Sequence, residues 1–135
     1  MPTSTVTYLG ELRSEAIHLQ SGNRIITDAP PDNHGRGEAF SPTDLLCTSL
    51  ACCMVSLMGI VANTHGITLG EIKADVTKTM AANPRRVSRI EIQMYFSGVA
   101  YTEKERVILE RAAMTCPVFL SLHPDIEKDI QFIWE

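Results

Sequence analysis

The chain has 135 residues, a formal net charge of -4 at pH 7 and a hydrophobic share of 44%. This length suffices for a core of its own and predicts a single domain over residues 1–135. The negative charge argues against nucleic acid or an anionic membrane as partner, because no cationic excess would neutralise phosphates. The first residues lack the basic and apolar regions of a signal peptide, so we expect a cytoplasmic protein, where structural disulfides are rare.

Short strands are predicted at the N-terminal end. Thr5–Leu9 and Leu12–Leu19 can form a hairpin, and Arg24–Asp28 follows a second turn at Ser21–Asn23. A polar loop then runs from Ala29 to Glu38. The pattern favours three successive strands before the first helix.

A long helix follows the loop. Ser41 is typical of an N-cap, Pro42 of the first helical position, and Asp44 places a carboxylate near the positive end of the helix dipole. We expect the helix to end near Asn63.

The segment from Leu45 to Ala62 within this helix is almost free of charge. Polar residues such as Ser49 and Ser56 dilute it and no basic flank or aromatic belt brackets it, so we interpret it as a core helix and not a membrane span. A helix that is apolar on all sides needs cover on all sides. Because one curved sheet covers only one side, we expect two chains to bury their long helices against each other in a homodimer.

Two strands and their hairpin are predicted next. Apolar and polar residues alternate in Ile72–Thr77 and in Arg89–Phe96, as in half-buried strands. The segment from Asn83 to Arg86 supplies the turn.

The last third of the chain predicts two helices and a strand. Thr102 and Glu105 form a capping box, and that helix should end near Thr115. A short helix is expected from Pro117 to about His123, and a final strand over Ile126–Trp134. The order of elements predicts an α+β fold with a largely antiparallel sheet.

Four cysteines carry the candidate chemistry. Cys47, Cys52 and Cys53 point in different directions on the long helix, so at least two of them should be inert packing. Cys116 precedes Pro117 at a helix start, where free N–H groups favour a thiolate, or else it serves only as a weak N-cap. If Cys53 and Cys116 meet in the fold, their natural chemistry is reversible oxidation, in which one sulfur attacks and the other resolves.

Other chemistries lack support in the sequence. No C-x-x-C motif occurs, and the histidines show no ligand spacing with the cysteines, which argues against a metal site and against a thioredoxin-type site. No Gly-rich phosphate loop occurs, so no cofactor is expected.

The segment from Gly37 to Leu46, followed by Cys53, resembles the OsmC/Ohr family of osmotically inducible and organic-hydroperoxide-resistance proteins. Counting from Pro42 puts the reactive cysteine of that family on Cys53, and the second family cysteine matches Cys116. The resemblance covers nearly the whole chain and implies the OsmC-like fold, in which antiparallel sheets wrap around long central helices in an intertwined homodimer.

The resemblance also implies a thiol-dependent peroxidase that reduces organic hydroperoxides and hydrogen peroxide. Cys53 would become a sulfenic acid, Cys116 would condense with it to a disulfide, and an external dithiol would reduce that disulfide. Arg13 would lower the pKa of the reactive thiol, and Glu38 would hold the Arg13 guanidinium bidentately.

The sequence departs from the hydroperoxide branch in two places. The turn before Arg13 differs from the family's glycine-rich turn, which leaves Arg36 as an alternative activating cation, and the residues after Cys116 resemble the OsmC-like branch. Two other functions therefore stay open. The chain could be a redox-sensing or apolar-ligand-binding module without turnover, or all four cysteines could be packing.

Overall fold

A computed structural model describes residues 1–135 of the chain. The chain divides into two compact units, Met1–Leu46 and Cys47–Glu135. Each unit is built around its own three-stranded sheet. Whether they act together as one domain over residues 1–135 stays a prediction.

The first unit is an antiparallel meander, which confirms the three predicted strands. Strands β1 (Ser4–Gly10), β2 (Arg13–His18) and β3 (Arg24–Asp28) pair in chain order. The turn between β2 and β3 sets a register in which Arg13 lies opposite Asp28. After β3 the chain passes through a short 3-10 turn at Pro31–Asn33.

The long helix α1 runs from Pro42 to His65, close to its predicted bounds. At its start, the Asp44 amide donates to the Ser41 hydroxyl at 3.0 Å, and the Ser41 amide donates to the Asp44 carboxylate at 3.0 Å. This reciprocal pair satisfies two backbone donors that the first turn of a helix leaves without intrahelical partners.

The second unit contains a mixed sheet. Strands β4 (Glu71–Ala81) and β5 (Arg86–Ser97) form the predicted hairpin, but the last strand, β6 (Glu127–Trp134), pairs with β5 in parallel. The expectation of largely antiparallel pairing is confirmed, but the strands form two sheets and the second carries a parallel edge. The parallel pairing needs a long crossover.

The crossover between β5 and β6 carries two helices. Helix α2 (Glu103–Met114) begins with the predicted capping box of Thr102 and Glu105. Helix α3 (Pro117–Ser121) has Cys116 as its N-cap and is shorter than predicted. The α+β class is confirmed.

The apolar core lies wholly within the second unit. One face of α1, the inward face of β5 and the inner side of α2 contribute buried side chains to one cluster. The fully buried apolar members with the largest volumes are Phe96, Leu50, Met54, Met58, Ile90, Ile92, Met94 and Leu109.

Helix α1 is long and apolar enough to cross a membrane by length and composition alone. The core helix of a soluble protein passes the same test. The side chains of Leu50, Met54 and Met58 are fully buried in the core of the second unit, which agrees with its interpretation as a core helix.

Candidate active site

The structure brings the Cys53 and Cys116 side chains together. Cys53 lies on α1, is half-buried and packs against the core cluster, whereas Cys116 is fully buried at the start of α3. The Cys53 side chain lies near enough to Cys116 to help raise the pKa of the Cys116 thiol. Neither thiol is in a disulfide. Two sulfurs remote in sequence are thus neighbours, as the sequence predicts for a redox pair.

Local backbone geometry fixes the position of Cys116. Pro117 occupies the first turn of α3, and Cys116 before it has the extended conformation of an N-cap. The Phe119 amide donates to the Cys116 sulfur at 3.4 Å. The sulfur therefore takes the place that an oxygen holds in an ordinary cap.

The protonation of Cys116 differs from the sequence expectation. Burial is the largest influence and raises the pKa of the Cys116 thiol above its ordinary value, and the neighbouring Cys53 side chain raises it further. The hydrogen bond from the Phe119 amide lowers the pKa but does not outweigh burial. The expectation that this helix start favours a Cys116 thiolate is therefore wrong, because the dry surroundings disfavour the charge more than the cap stabilises it. Burial therefore favours the neutral form of the Cys116 thiol.

The other two cysteines, Cys47 and Cys52, differ from each other in burial. Cys47 is 1% exposed and belongs to the core cluster, whereas Cys52 is exposed on α1. No group of three or more His, Cys, Asp or Glu side chains that could hold a metal ion occurs in the chain.

A charged cluster lies in the first unit, around Arg13. The guanidinium donates from Nε to Asp28 Oδ1 at 2.7 Å and from Nη2 to Asp28 Oδ2 at 2.8 Å. The Arg13 side chain is 25% exposed and that of Asp28 is 0% exposed. The hydrogen bond from Arg13 is the main cause that holds the pKa of Asp28 below its ordinary value, and the same bond raises the pKa of Arg13.

Glu38 does not make the bidentate contact expected for it. Its backbone amide donates to Asp28 Oδ2 at 3.2 Å, and its charge is a smaller influence that raises the pKa of Arg13. The guanidinium makes its bidentate contact with Asp28 instead. The alternative cation, Arg36, pairs with Glu11.

Sequence reasoning missed Asp28, although a signal for it exists. Counting outward from the turn after β2 in an antiparallel hairpin places Arg13 directly opposite Asp28. Opposite charges at facing positions of two strands form a cross-strand pair. The partner of Arg13 follows from the register of β2 and β3, and the position of Glu38 in the following loop does not contain that information.

Comparison with known proteins agrees with this fold. The family model for OsmC-like proteins matches residues 35–131. A solved structure from Psychrobacter arcticus 273-4, described as a candidate osmotic stress induced and detoxification response protein, is similar with 54% identity, covers 98% of this chain and 96% of its own, and has a TM-score of 0.93. The chain belongs to the OsmC-like family.

More distant solved structures share the fold alone. An organic hydroperoxide resistance protein from Legionella pneumophila has 16% identity over 98% of both chains and a TM-score of 0.76. One from Elizabethkingia anophelis has 17% identity, covers 100% of this chain and 98% of its own, and has a TM-score of 0.76. No curated protein matches the sequence.

Proposed function

We propose that the protein is a thiol-dependent peroxidase that reduces organic hydroperoxides, and hydrogen peroxide less efficiently, through Cys53 and Cys116. The observation that carries the proposal is the proximity of two free thiols, Cys53 and Cys116. Family membership supports it, since two structurally similar proteins are named organic hydroperoxide resistance proteins.

The raised pKa of Cys116 supports different roles for the two thiols. The nucleophile must be a thiolate, and Cys116 resists ionisation, so Cys53 attacks. Its sulfur bonds to one oxygen of the O–O bond, that bond breaks, and the leaving alkoxide takes a proton to become an alcohol. Cys53 is thereby oxidised to a sulfenic acid.

The second step uses the neighbouring thiol. The Cys116 sulfur attacks the sulfenic sulfur of Cys53, a disulfide forms, and the hydroxyl leaves as water with the thiol proton. An external dithiol then reduces the disulfide by thiol exchange and returns both cysteines to the free state. Arg13 is proposed as the cation that favours the Cys53 thiolate and donates to the leaving oxygen.

A homodimer in the cytoplasm is part of this proposal. The first unit leaves large apolar side chains uncovered, with Val6 68%, Tyr8 67% and Ile25 46% exposed. On β1, β2 and β3 the register puts these three on one face of the sheet. A contiguous apolar face of this kind is typical of an interface, and a second copy of the chain would cover it. Val6→Asp is expected to shift the mass in solution from dimer to monomer.

The test is peroxide consumption with a small dithiol as reductant. Cys53→Ser should abolish turnover, whereas Cys52→Ser, a matched change at the adjacent exposed thiol, should keep most of it. Cys116→Ser should leave a sulfenic acid on Cys53 that dimedone traps. Full turnover by Cys53→Ser would contradict the mechanism.

Two other outcomes select the alternatives. Stoichiometric formation of a Cys53–Cys116 disulfide without turnover, under several dithiols, would favour a redox-sensing module. Four thiols that stay reduced after peroxide treatment, followed by mass spectrometry, would mean that the cysteines serve packing alone.

A further inference from the structure

A groove lies between helix α2 and the end of strand β6 in the second unit. It has a volume of about 510 Å³ and is lined by Tyr101, Glu103, Arg106, Val107, Glu110 and Trp134. A volume of this size is within the range of small-molecule sites. No cysteine lines the groove, so the proposed peroxidase chemistry gives it no role. We propose that this groove binds a small monocarboxylate with a planar apolar body, and that Arg106 holds the carboxylate.

Two aromatic side chains form one wall of the groove and are held in place by their neighbours. Trp134 is stacked on Phe96 with ring centroids 3.8 Å apart, and the Tyr101 ring meets Trp134 edge-on at 5.1 Å. The Tyr101 hydroxyl accepts a hydrogen bond from the Gly70 amide at 2.9 Å. Because these contacts fix the rings before a ligand arrives, binding against them costs little additional ordering.

Arg106 supplies the cation of the groove. Its guanidinium carbon lies 5.4 Å from the centroid of the Trp134 ring, as in a cation–π contact. Among the buried side-chain nitrogen and oxygen atoms of the chain, Nε of Arg106 alone has no hydrogen-bond partner. Buried polar atoms are nearly always paired in folded proteins, so this donor points to an acceptor that the chain itself does not supply.

Two carboxylates on the same helix are within reach in sequence but do not satisfy this donor. Glu103 and Glu110 lie three residues before and four residues after Arg106, at spacings that allow ion pairs. Neither accepts from Nε, and Glu110 Oε1 accepts instead from the Trp134 indole at 3.1 Å. Turning the guanidinium towards the groove therefore breaks no hydrogen bond at Nε. A carboxylate in the groove would then accept from Nε and one Nη together, which is a stronger contact than a single cation–π interaction.

The charges that line the groove favour a ligand with one negative charge. Arg106 contributes one positive charge, whereas Glu103 and Glu110 contribute two negative ones. Both carboxylates would repel a dianion such as a phosphate monoester more strongly than a monoanion. The side chain of Val107 is 46% exposed and adds apolar surface at the rim for the body of the ligand.

The test uses phenylacetate as the probe and Trp134 as the reporter. Trp134 is the single tryptophan of the chain, so its fluorescence reports on this groove. We expect a saturable change in that fluorescence, and a shift of the indole N–H resonance in the NMR spectrum that gives the same Kd. Phenylacetamide, which is neutral, should bind about tenfold more weakly, because it lacks the charge that pairs with Arg106. No saturable change with phenylacetate, or equal binding of the amide, would overturn the proposal.

Two further probes separate the parts of the ligand. Acetate has the carboxylate without the ring and should bind about tenfold more weakly than phenylacetate, because it buries no apolar body. Phenyl phosphate has the ring and a second negative charge and should also bind more weakly. Equal binding of acetate, or tighter binding of phenyl phosphate, would overturn the assigned ligand class.

Three variants test whether Arg106 holds the carboxylate. Arg106→Lys keeps the charge but loses the planar pair of donors, and should weaken phenylacetate binding by about tenfold. Arg111→Ala removes an exposed cation in the last turn of the same helix, outside the groove, and should leave binding unchanged. Glu103→Gln removes a negative charge from the groove and should strengthen binding by about twofold. Equal losses in Arg106→Lys and Arg111→Ala, or weaker binding in Glu103→Gln, would overturn the proposal.

The titration of the wild-type chain needs no substitution, so the proposal stays testable if a variant fails to fold. It also consumes no peroxide and separates this proposal from the proposed function. Binding of phenylacetate by a protein without peroxide turnover would support the groove as a carboxylate site and refute the peroxidase. Turnover without any binding of phenylacetate would support the peroxidase and refute the carboxylate site.

Discussion

Different interactions stabilise each of the two units of the chain. The second unit buries an apolar cluster in which Leu50, Ile92 and Leu109 are fully enclosed. In the first unit the buried residues are polar, namely Thr27, Asp28 and Ser41. The thiol pair therefore forms in a core that one chain supplies, whereas the cation is fixed by hydrogen bonds in a unit that has no apolar core.

This difference explains why the first unit exposes so much apolar surface. A segment of about 40 residues without an apolar core is too small to be stable by itself. The exposed apolar face of its sheet is stable only when it is buried, and the proposed second copy of the chain would bury it.

The largest effect is expected in the core of the second unit. Leu50→Ala removes a fully buried side chain and should lower the free energy of unfolding by about 2–5 kcal/mol. Val107→Ala, at a position that is 46% exposed, should change it by less than about 0.5 kcal/mol. Urea unfolding of both variants checks this. Equal effects would mean that the core is not where the stability of the chain lies.

The charged cluster should matter for chemistry more than for packing. Arg13→Ala removes a cation and several donors and should lower kcat/KM for an organic hydroperoxide by about 100-fold. Arg24→Ala, which removes the exposed partner of Glu15, should change kcat/KM by less than about twofold. Steady-state assays compare the two. A similar loss in both variants would point to net charge and not to one positioned guanidinium.

Helix caps offer a smaller test of the same contrast. Ser41 is 1% exposed and caps α1, whereas Thr102 is exposed and caps α2. Ser41→Ala should cost about 2 kcal/mol, because it leaves the Asp44 amide without its partner away from water, and Thr102→Ala should cost about 1 kcal/mol. Guanidinium unfolding measures both. A larger loss in Thr102→Ala would reverse the order.

The smallest expected effect is on the pH dependence of stability, to which Asp28 in the first unit and Cys116 in the second contribute differently. The folded pKa of Asp28 lies below its ordinary 3.8, so its contribution is present above that pH and is lost as the pH falls further. The folded pKa of Cys116 lies above its ordinary 9.0, so its contribution is present below that pH and is lost as the pH rises towards the folded value.

Unfolding of the reduced protein over a pH series separates the two limbs. Asp28→Asn should flatten the acid limb alone, and Cys116→Ala the alkaline limb alone. A change in the opposite limb for either variant would contradict this assignment.

Local signals made several elements predictable from the sequence. Ser41, Pro42 and Asp44 marked the start of α1, and Thr102 with Glu105 marked the start of α2. These signals are short-range, because the residues that satisfy a helix end lie within one turn of it. The proximity of Cys53 and Cys116 was expected as a condition of redox chemistry, and the influence of Cys53 on the pKa of Cys116 agrees with it.

Long-range relations were the part that the sequence did not reveal. The parallel pairing of β5 with β6 depends on how the crossover folds, and alternation alone does not give strand direction. The partner of Arg13 depended on strand register, whereas the family resemblance pointed to Glu38 through its spacing from Pro42. The pKa of Cys116 required knowledge of its burial, which no helix-start signal contains.

The parallel edge of the second sheet has a consequence for biosynthesis. Strand β6 is translated after Cys53 and Cys116, and the crossover that carries Cys116 is closed only when β6 pairs with β5. Cys53 leaves the ribosome long before that closure, because synthesis proceeds from the N terminus. We therefore expect the nascent chain to hold an unshielded thiol until β6 has docked. Oxidants present during translation would then act on a sulfur that the finished protein keeps beside its partner.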